Sequence, residues 1–309
     1  MLVTVVIPTY KRTAYLKVAL ESVIRQTYSH FECLVVNDSP PFREKVDEVV
    51  ESIGDERIRV IHNPQNGGES FSRNNAIKAA KGEIIALLDD DDYWKPDFLQ
   101  QHVTKHEANS DLGIVYCGYV KFWDDELLGT REYLADQTPP MNMYQAMLSG
   151  KFVLASSSIV SIRRSCFDEC GTFDSALPSF ADWDMWVRIA QKYPFGNIPE
   201  SLTYYRHHLG ERGSTDIEKR LTGIEVITKK WESEKGFEAF GRKLIIRAFF
   251  NEIRNEVLRG NRLNSIKLLR ECISRCKSEI IPNYKVFLKA ITIIILGKAY
   301  MTGHKAKYS

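Results

Sequence analysis

Short apolar runs alternate with amphipathic stretches through the first third of the chain. Residues 2–7, 31–37 and 84–88 are dominated by Val, Ile and Leu with little polar alternation, the pattern of strands buried on both faces. Residues 57–62 predict a shorter third strand. Between these runs, residues 13–26, 42–53 and 69–81 place apolar side chains at helical spacing, as at Leu16, Leu20, Val23 and Ile24. Thr13 is expected to cap the first helix, Gly54 to end the second and Gly82 to close the third. Pro96 falls in the first turn of another helix, 96–107, and 112–122 returns to strand. Strands alternating with helices imply an α/β fold, a mostly parallel sheet covered on both faces.

The pattern then loosens. Residues 123–140 read as a polar loop, 141–149 as a short helix, 155–162 as a strand, 181–192 as a helix and 198–208 as a last strand. A glycine-containing loop, 209–215, follows. From residue 217 the chain is helical, over 217–235, 238–259, 264–277 and 284–300, with breaks at Gly260-Asn261 and Pro282-Asn283. Ile245, Phe249, Ile253 and Val257 recur at helical spacing and predict a packed face. The expected boundary lies between an α/β body, 1–216, and a helical region, 217–309.

Charge sharpens that boundary. The 309 residues carry a net charge of only +2. Up to Asp216 there are 22 Lys+Arg against 31 Asp+Glu, a net of −9, and from Ile217 onward 20 against 9, a net of +11. A basic helical region on an acidic body points either to an anionic contact, such as a phospholipid surface, or to a plain solvated face. No secretory signal is expected, because Lys11 and Arg12 follow the first apolar run instead of preceding it. Six cysteines spread over this length do not suggest a disulfide framework. Cys166/Cys170 and Cys272/Cys276 lack short zinc-knuckle spacing. The apolar stretch 286–296 is interrupted by Lys289 and is too short to span a bilayer. It suits either a bilayer interface or a helical core. A cytoplasmic protein, peripheral at the membrane or free, is the expectation.

The chemistry concentrates where the fourth apolar run stops. Asp89, Asp90, Asp91 and Asp92 are followed by Tyr93, Trp94, Lys95 and Pro96. Carboxylates packed at one strand tip repel. An oxygen-rich set of this kind suits Mg²⁺ or Mn²⁺, ions that commonly also bind substrate phosphates. Open α/β sheets bind ligands beyond the carboxyl ends of their strands, so a metal–diphosphate site is expected there. The alternative is a solvated charge run capping the next helix. The loops after the first two strands, around Thr9 and Asp38, open on the same edge. Asp38 either accepts an N–H from a pyrimidine ring or forms an Asx-turn into Pro40-Pro41. Asn66, Gly67 and Gly68 precede a helix whose N-terminal amides suit an anion, with Arg73 and Asn74 placed to face it. P-loop spacing is absent, and no Gly-x-Gly-x-x-Gly follows the first strand, which disfavours a dinucleotide fold.

These segments, in this order, resemble the inverting family 2 glycosyltransferases of GT-A fold. The matching elements are Val6-Ile-Pro-Thr-Tyr10, Val36-Asn-Asp-Ser39, Asn66-Gly-Gly, Ser72-Arg-Asn-Asn-Ala76 and Leu87-Leu-Asp-Asp-Asp-Asp-Tyr-Trp94. Phe167, Gly171-Thr-Phe-Asp174 and Ala181-Asp-Trp-Asp-Met-Trp-Val-Arg188 extend the match. The resemblance implies a nucleotide-sugar-binding half, 1–110, and an acceptor half, 111–216. It implies that Thr9, Tyr10, Arg12, Asp38, Asn66, Arg73, Asp89 and Asp90 contact the nucleoside diphosphate sugar, taken as UDP-linked. Asp91 and His208 would hold Mn²⁺ or Mg²⁺, with His207 a neighbouring candidate. Asp182 would be the general base toward a hydroxyl of a glycan or lipid-linked acceptor, as in cell-surface polysaccharide biosynthesis. No nucleic-acid partner is implied. The family usually carries Glu-Asp where this chain has Ala181-Asp182, which bears on acceptor contacts. Trp183 and Trp186 fit either the core or acceptor stacking. Competing readings are a sugar nucleotidyltransferase, which wants a basic glycine-rich loop after the first strand, and a weakly catalytic binding scaffold of the same fold.

Overall fold

A computed structural model describes residues 1–123, 129–135, 139–207, 217–276 and 283–297. His208, the loop 209–215 and the expected ends of two C-terminal helices lie outside these residues. Val3–Thr9 (β1), Phe31–Asn37 (β2), Ile58–His62 (β3) and Ile84–Leu87 (β4) form the parallel part of the sheet, in the order β3-β2-β1-β4. Thr13–Ile24 (α1), Arg43–Ile53 (α2) and Gly68–Ala79 (α3) connect them. The inner strands are dry on both faces: Val5, Val6, Ile7, Leu34, Val35, Ile85 and Leu87 have no exposed surface. Each such side chain contributes roughly 1.5–3 kcal/mol of burial free energy.

The sheet continues through Tyr93–Trp94 (β5), Ile114–Trp123 (β6), Arg131–Tyr133 (β7), Val160–Arg163 (β8) and Phe195–His207 (β9). Phe98–Ala108 (α4), Met143–Leu148 (α5), Ser165–Cys170 (α6) and Ala181–Ala190 (α7) are interspersed. The full order is β3-β2-β1-β4-β8-β6-β9-β5, with β7 on β6. β8 runs antiparallel to both β4 and β6, β9 lies parallel to β6, and β5 lies antiparallel to β9. The sheet is therefore mixed, with a parallel half joined through β8 to a second half that carries α7.

Three local expectations are corrected. Gly82 does not close α3, which ends at Ala79 with Ala80 in extended conformation. A Cβ at Gly82 would collide with the backbone nitrogen and Oγ1 of Thr4, so that glycine permits a close approach of two backbones. Thr13 begins α1 instead of capping it; Arg12 occupies the cap position and no side-chain cap bond forms. The stretch 123–140 contains β7, which pairs in register with β6 through Tyr119 and Tyr133. The rings of that pair stack with centroids 4.7 Å apart.

The C-terminal helices are Ile217–Trp231 (α8), Phe237–Leu258 (α9), Arg262–Arg275 (α10) and Tyr284–Leu296 (α11). Phe249, Ile253 and Val257 are buried as their spacing predicts. Trp183 of α7 sits among the rings of Trp231, Phe237 and Phe240 at 6.2, 5.6 and 5.5 Å. Asp184 has no exposed surface and accepts from Arg188 Nε (2.9 Å), Trp231 Nε1 (2.9 Å) and Lys230 Nζ (3.0 Å). One carboxylate thus ties α7 to α8. No helix among the described residues is long and apolar enough to cross a membrane. All six cysteines are free thiols.

Candidate active site

The turn after β4 holds the aspartates between the tips of β1, α3 and β9. Asp90 is 4% exposed and accepts from Thr9 Oγ1 at 2.8 Å. Arg12 bridges Asp90 and Asp91, its Nη1 lying 3.1 Å from Asp90 Oδ1 and 3.0 Å from Asp91 Oδ2. Arg73, 3% exposed, donates to Asp89 Oδ1 at 2.7 Å and also pairs with Glu69 one turn earlier. Burial pushes the Asp90 carboxyl up to about 7 against the pull of Arg12, with Asp91 and Asp89 adding to the rise. Burial also raises Asp89, opposed by Arg73 and reinforced by Asp91 and Asp182. Asp182, at the start of α7, therefore acts on the same electrostatic site as the acidic turn.

Asp92 does a different job. It is 1% exposed, and its carboxylate accepts from the Arg206 backbone N–H at 2.9 Å. Arg206 Nε in turn donates to the Asp91 carbonyl at 3.0 Å. Trp94 Nε1 donates to the Ser158 carbonyl at 2.7 Å, and the Asp89 N–H to Ser158 Oγ at 3.0 Å. The turn is thereby clamped between β9 and the short helical turn Ser157–Ile159. The resemblance gives roles to Asp89, Asp90 and Asp91 only; the clamp on Asp92 was not legible, because it comes from residues far along the chain.

Asp38 is 5% exposed, and its carboxylate accepts from Asn63 Nδ2 (2.8 Å) and from the N–H groups of Gly67 (2.9 Å) and Gly68 (2.8 Å). It anchors the loop that starts α3. The Asx-type contact into Pro40-Pro41 belongs instead to Asn37, whose Oδ1 accepts from the Ser39 N–H at 3.0 Å. Tyr10 is 41% exposed; Lys11 and Asn66 lower its phenol pKa, so the β1 and α3 loops meet. Asn66 Oδ1 also accepts from the Gly68 N–H at 3.2 Å. Asn74 is engaged by backbone instead of being available to an anion: it exchanges two hydrogen bonds with Phe173, at 2.8 and 3.0 Å.

Two residues other than glycine adopt positive φ among the described residues, Lys11 at 61° and Phe180 at 65°. Both adjoin the site, one beside Tyr10 and Arg12, the other at the entry of α7 before Asp182. Such backbone costs about 1–3 kcal/mol per residue and is kept where surrounding structure enforces it. Asp182 Oδ1 accepts from the Trp183 N–H at 2.7 Å, which fixes its side chain over the first turn. Asp182 lines a cavity of about 1240 Å³ with Arg73, Glu69, Gly67, Trp183 and Trp186. Both tryptophans are nearly buried (4% and 1%) and so serve as core and cavity wall at once. His207 lies in the same wall, 3.7 Å from the Trp123 ring and 3.4 Å from Arg254 Nη2.

The fit of a divalent cation can be tested against this donor set. Among the described residues no three His, Cys, Asp or Glu converge as a finished metal cage. Magnesium-type sites rarely need one, since one or two carboxylates with substrate phosphates and water suffice. The buried, mutually repelling carboxylates of Asp90 and Asp91 are the oxygen donors such an ion favours, and their present counter-charge is Arg12. The residues fit.

The sequence profile described as Glycosyl transferase family 2 matches residues 4–171. An uncharacterized glycosyltransferase of Bacillus subtilis, YwdF, is 31% identical over 240 residues, covering 74% of this chain and 84% of that protein. One from Rickettsia felis is 31% identical over 75% of this chain, but the chain spans only 38% of that relative's length. A putative colanic acid biosynthesis glycosyl transferase of Escherichia coli, WcaA, is 28% identical over 72% of this chain and 78% of its own. Among solved structures, the mannosyltransferase PcManGT of Pyrobaculum calidifontis, in complex with GDP-Man and Mn²⁺, superposes with a TM-score of 0.58 at 18% identity. It covers 95% of this chain and 86% of that one. S. aureus TarS 1-349 in complex with UDP-GlcNAc gives 0.52 at 16% identity, covering 90% and 92%. The fold is that of the GT-A glycosyltransferases, and the chain belongs to glycosyl transferase family 2.

Proposed function

We propose that the chain transfers a sugar, with inversion, from a UDP-linked donor to a hydroxyl of a glycan or lipid-linked acceptor in cell-surface polysaccharide assembly. The observation that carries this reading is the meeting of the acidic turn and Asp182 about Arg73, which donates to Asp89 at 2.7 Å and lines one cavity with Asp182. The structures with UDP-GlcNAc and with GDP-Man and Mn²⁺, and the WcaA relative, support the substrate class. In this reading Thr9, Tyr10, Asp38, Asn66, Asp89 and Asp90 line the donor, and Asp91 holds Mn²⁺ or Mg²⁺ with His208. The ion, when bound, neutralises charge on the diphosphate as a Lewis acid. Arg12 and Arg73 add fixed positive charge beside the same turn. Asp182 takes the proton of the acceptor hydroxyl as its oxygen attacks the anomeric carbon. The bond to the diphosphate breaks on the opposite side, and the electron pair leaves with the diphosphate.

In this reading residues 1–216 are the transferase unit, and the region from 217 onward packs on it or meets the membrane. α11 leaves Leu288, Ile291, Ile295 and Leu296 exposed at 56, 40, 65 and 51%, beside Lys285 and Lys289 on the same helix. An apolar face rimmed by lysines supports docking at an anionic bilayer surface, on the cytoplasmic side. The deciding experiment offers UDP-, GDP-, dTDP- and CDP-sugars with Mn²⁺ and measures release of nucleoside diphosphate. A UDP-sugar is expected to turn over and Asp91→Ala to lose that turnover. Pyrophosphate formation from a nucleoside triphosphate and sugar phosphate instead would replace this reading with a nucleotidyltransferase.

A further inference from the structure

The cavity beside Asp182 is strongly polarised. Among the described residues, nine Lys and Arg line it against two carboxylates, Glu69 and Asp182. Most of these cations come from the C-terminal helices. Lys243, Arg247 and Arg254 of α9 lie at i, i+4 and i+11, one face of the helix, and Lys285 and Lys289 of α11 repeat the i, i+4 spacing.

An ordinary solvated basic face interleaves carboxylates at these spacings, because like charges one turn apart repel. Here two of the three carboxylates of α9 are turned away, and the third, Glu238, sits in its first turn. Glu252 and Glu256 are buried at the corner with α10, where both accept from Arg259, at 2.9 and 2.6 Å. No carboxylate of the described residues lies within 4 Å of the five cavity cations. Arg254 is partly withdrawn from water. Its Nε is buried with no hydrogen-bond partner among the described residues, and burial lowers its pKa. Its contacts among the described residues are His207 at 3.4 Å and the Trp123 ring at 5.8 Å, and neither of these is the anion that would repay its desolvation.

We propose that the acceptor carries phosphate near its reacting hydroxyl, held by Lys243, Arg247, Arg254, Lys285 and Lys289 while the hydroxyl faces Asp182. The inference rests on the transferase reading above and names the acceptor class for the same site. Phosphate suits the wall better than a single carboxylate, since it offers more charge and more acceptor oxygens to forked guanidinium donors. Two sources share this chemistry: a diphosphate joining a glycan to a lipid, and phosphodiesters within a polymer. The outward apolar face of α11 adjoins the cationic wall and is compatible with the lipid source.

The test uses the full chain loaded with UDP and Mn²⁺, so that the donor's own phosphate site is filled. Calorimetric titration compares a sugar-linked prenyl diphosphate, an oligo(glycerol phosphate) and neutral maltohexaose. At least one phosphate probe is expected to bind about tenfold or more tighter than maltohexaose and to weaken as ionic strength rises. Whichever probe wins identifies the source. Lys243 and Arg247 are exposed, so Lys243→Glu/Arg247→Glu is expected to fold. That variant should lose about tenfold in phosphate-probe affinity, whereas Lys243→Arg/Arg247→Lys should keep it. Equal affinity for all three probes, or unchanged phosphate binding by the charge-reversed protein, overturns the inference. Thermal shift with UDP and Mn²⁺ separates the two levels. If the nucleotide binds and phosphate does not, only the acceptor class is wrong; if the nucleotide fails to bind the wild type, both readings fall.

Discussion

Arg12 and Arg73 bring fixed positive charge to the acidic turn before any ligand arrives, and this sets what single substitutions should do. Asp182→Asn keeps the shape of the first turn of α7 but removes the proton acceptor. Transfer should fall by about 10²–10⁴-fold while nucleotide binding by thermal shift stays near wild type. Normal turnover by that variant would remove Asp182 from the reaction. Lys11, at φ 61°, is exposed, with its ammonium 4.7 Å from the centre of the Tyr10 ring, so the backbone cost is read by comparing two variants that both lose that contact. Lys11→Val should cost about 1–2 kcal/mol in urea unfolding, because a β-branched residue resists left-handed backbone, and Lys11→Gly should cost far less. Neither strained position was legible in the sequence, since Lys and Phe carry no mark of positive φ.

α4 and β8 share a buried polar cluster that makes a pH prediction. His102 Nδ1 and His106 Nε2 both lie against Ser161 Oγ, at 2.8 and 3.0 Å. Burial lowers His102 well below the ordinary imidazole value, and burial with nearby Arg163 takes His106 from 6.5 to about 4. A folded-state pKa below the unfolded one means that the unfolded chain binds the proton first. Stability is therefore lost as pH falls from about 6.5 toward 4, on the order of 2 kcal/mol by pH 5 from His106 alone. His106→Gln should flatten that slope in denaturant titrations. Asp184→Ala should cost about 3–5 kcal/mol, since it strands the groups that α7 and α8 direct at it. Strands, helices and the acidic turn were legible because their signals are local: a hydrophobic period, a run of carboxylates, glycines before a helix. The role of Asp184 was not. Its spacing reads as a helix start, whereas its partners Lys230 and Trp231 lie 46 and 47 residues away.

The charge imbalance between the two halves of the chain was also legible, but not its direction. Summed over the sequence it describes a basic tail; folded, seven of those twenty Lys and Arg line the cavity that Asp182 lines. Leu288, Ile291, Ile295 and Leu296 of α11 face outward while Phe287, Ala290, Ile293 and Ile294 pack inward, and a bilayer test follows. Replacing exposed Leu288, Ile291 and Ile295 with Ser should leave the fold intact and lower partition onto anionic liposomes by roughly tenfold or more. Equal sedimentation of both proteins would discard membrane docking while leaving the cavity argument untouched. The boundary expected near residue 216 is crossed by Asp184, which has no exposed surface and takes hydrogen bonds from α8. Grafting the helices of a relative at that joint would give this carboxylate foreign partners in a place water does not reach. Exchange of acceptor preference between relatives should therefore succeed only when residues 181–297 travel together, the helix that carries Asp182 with the wall it faces.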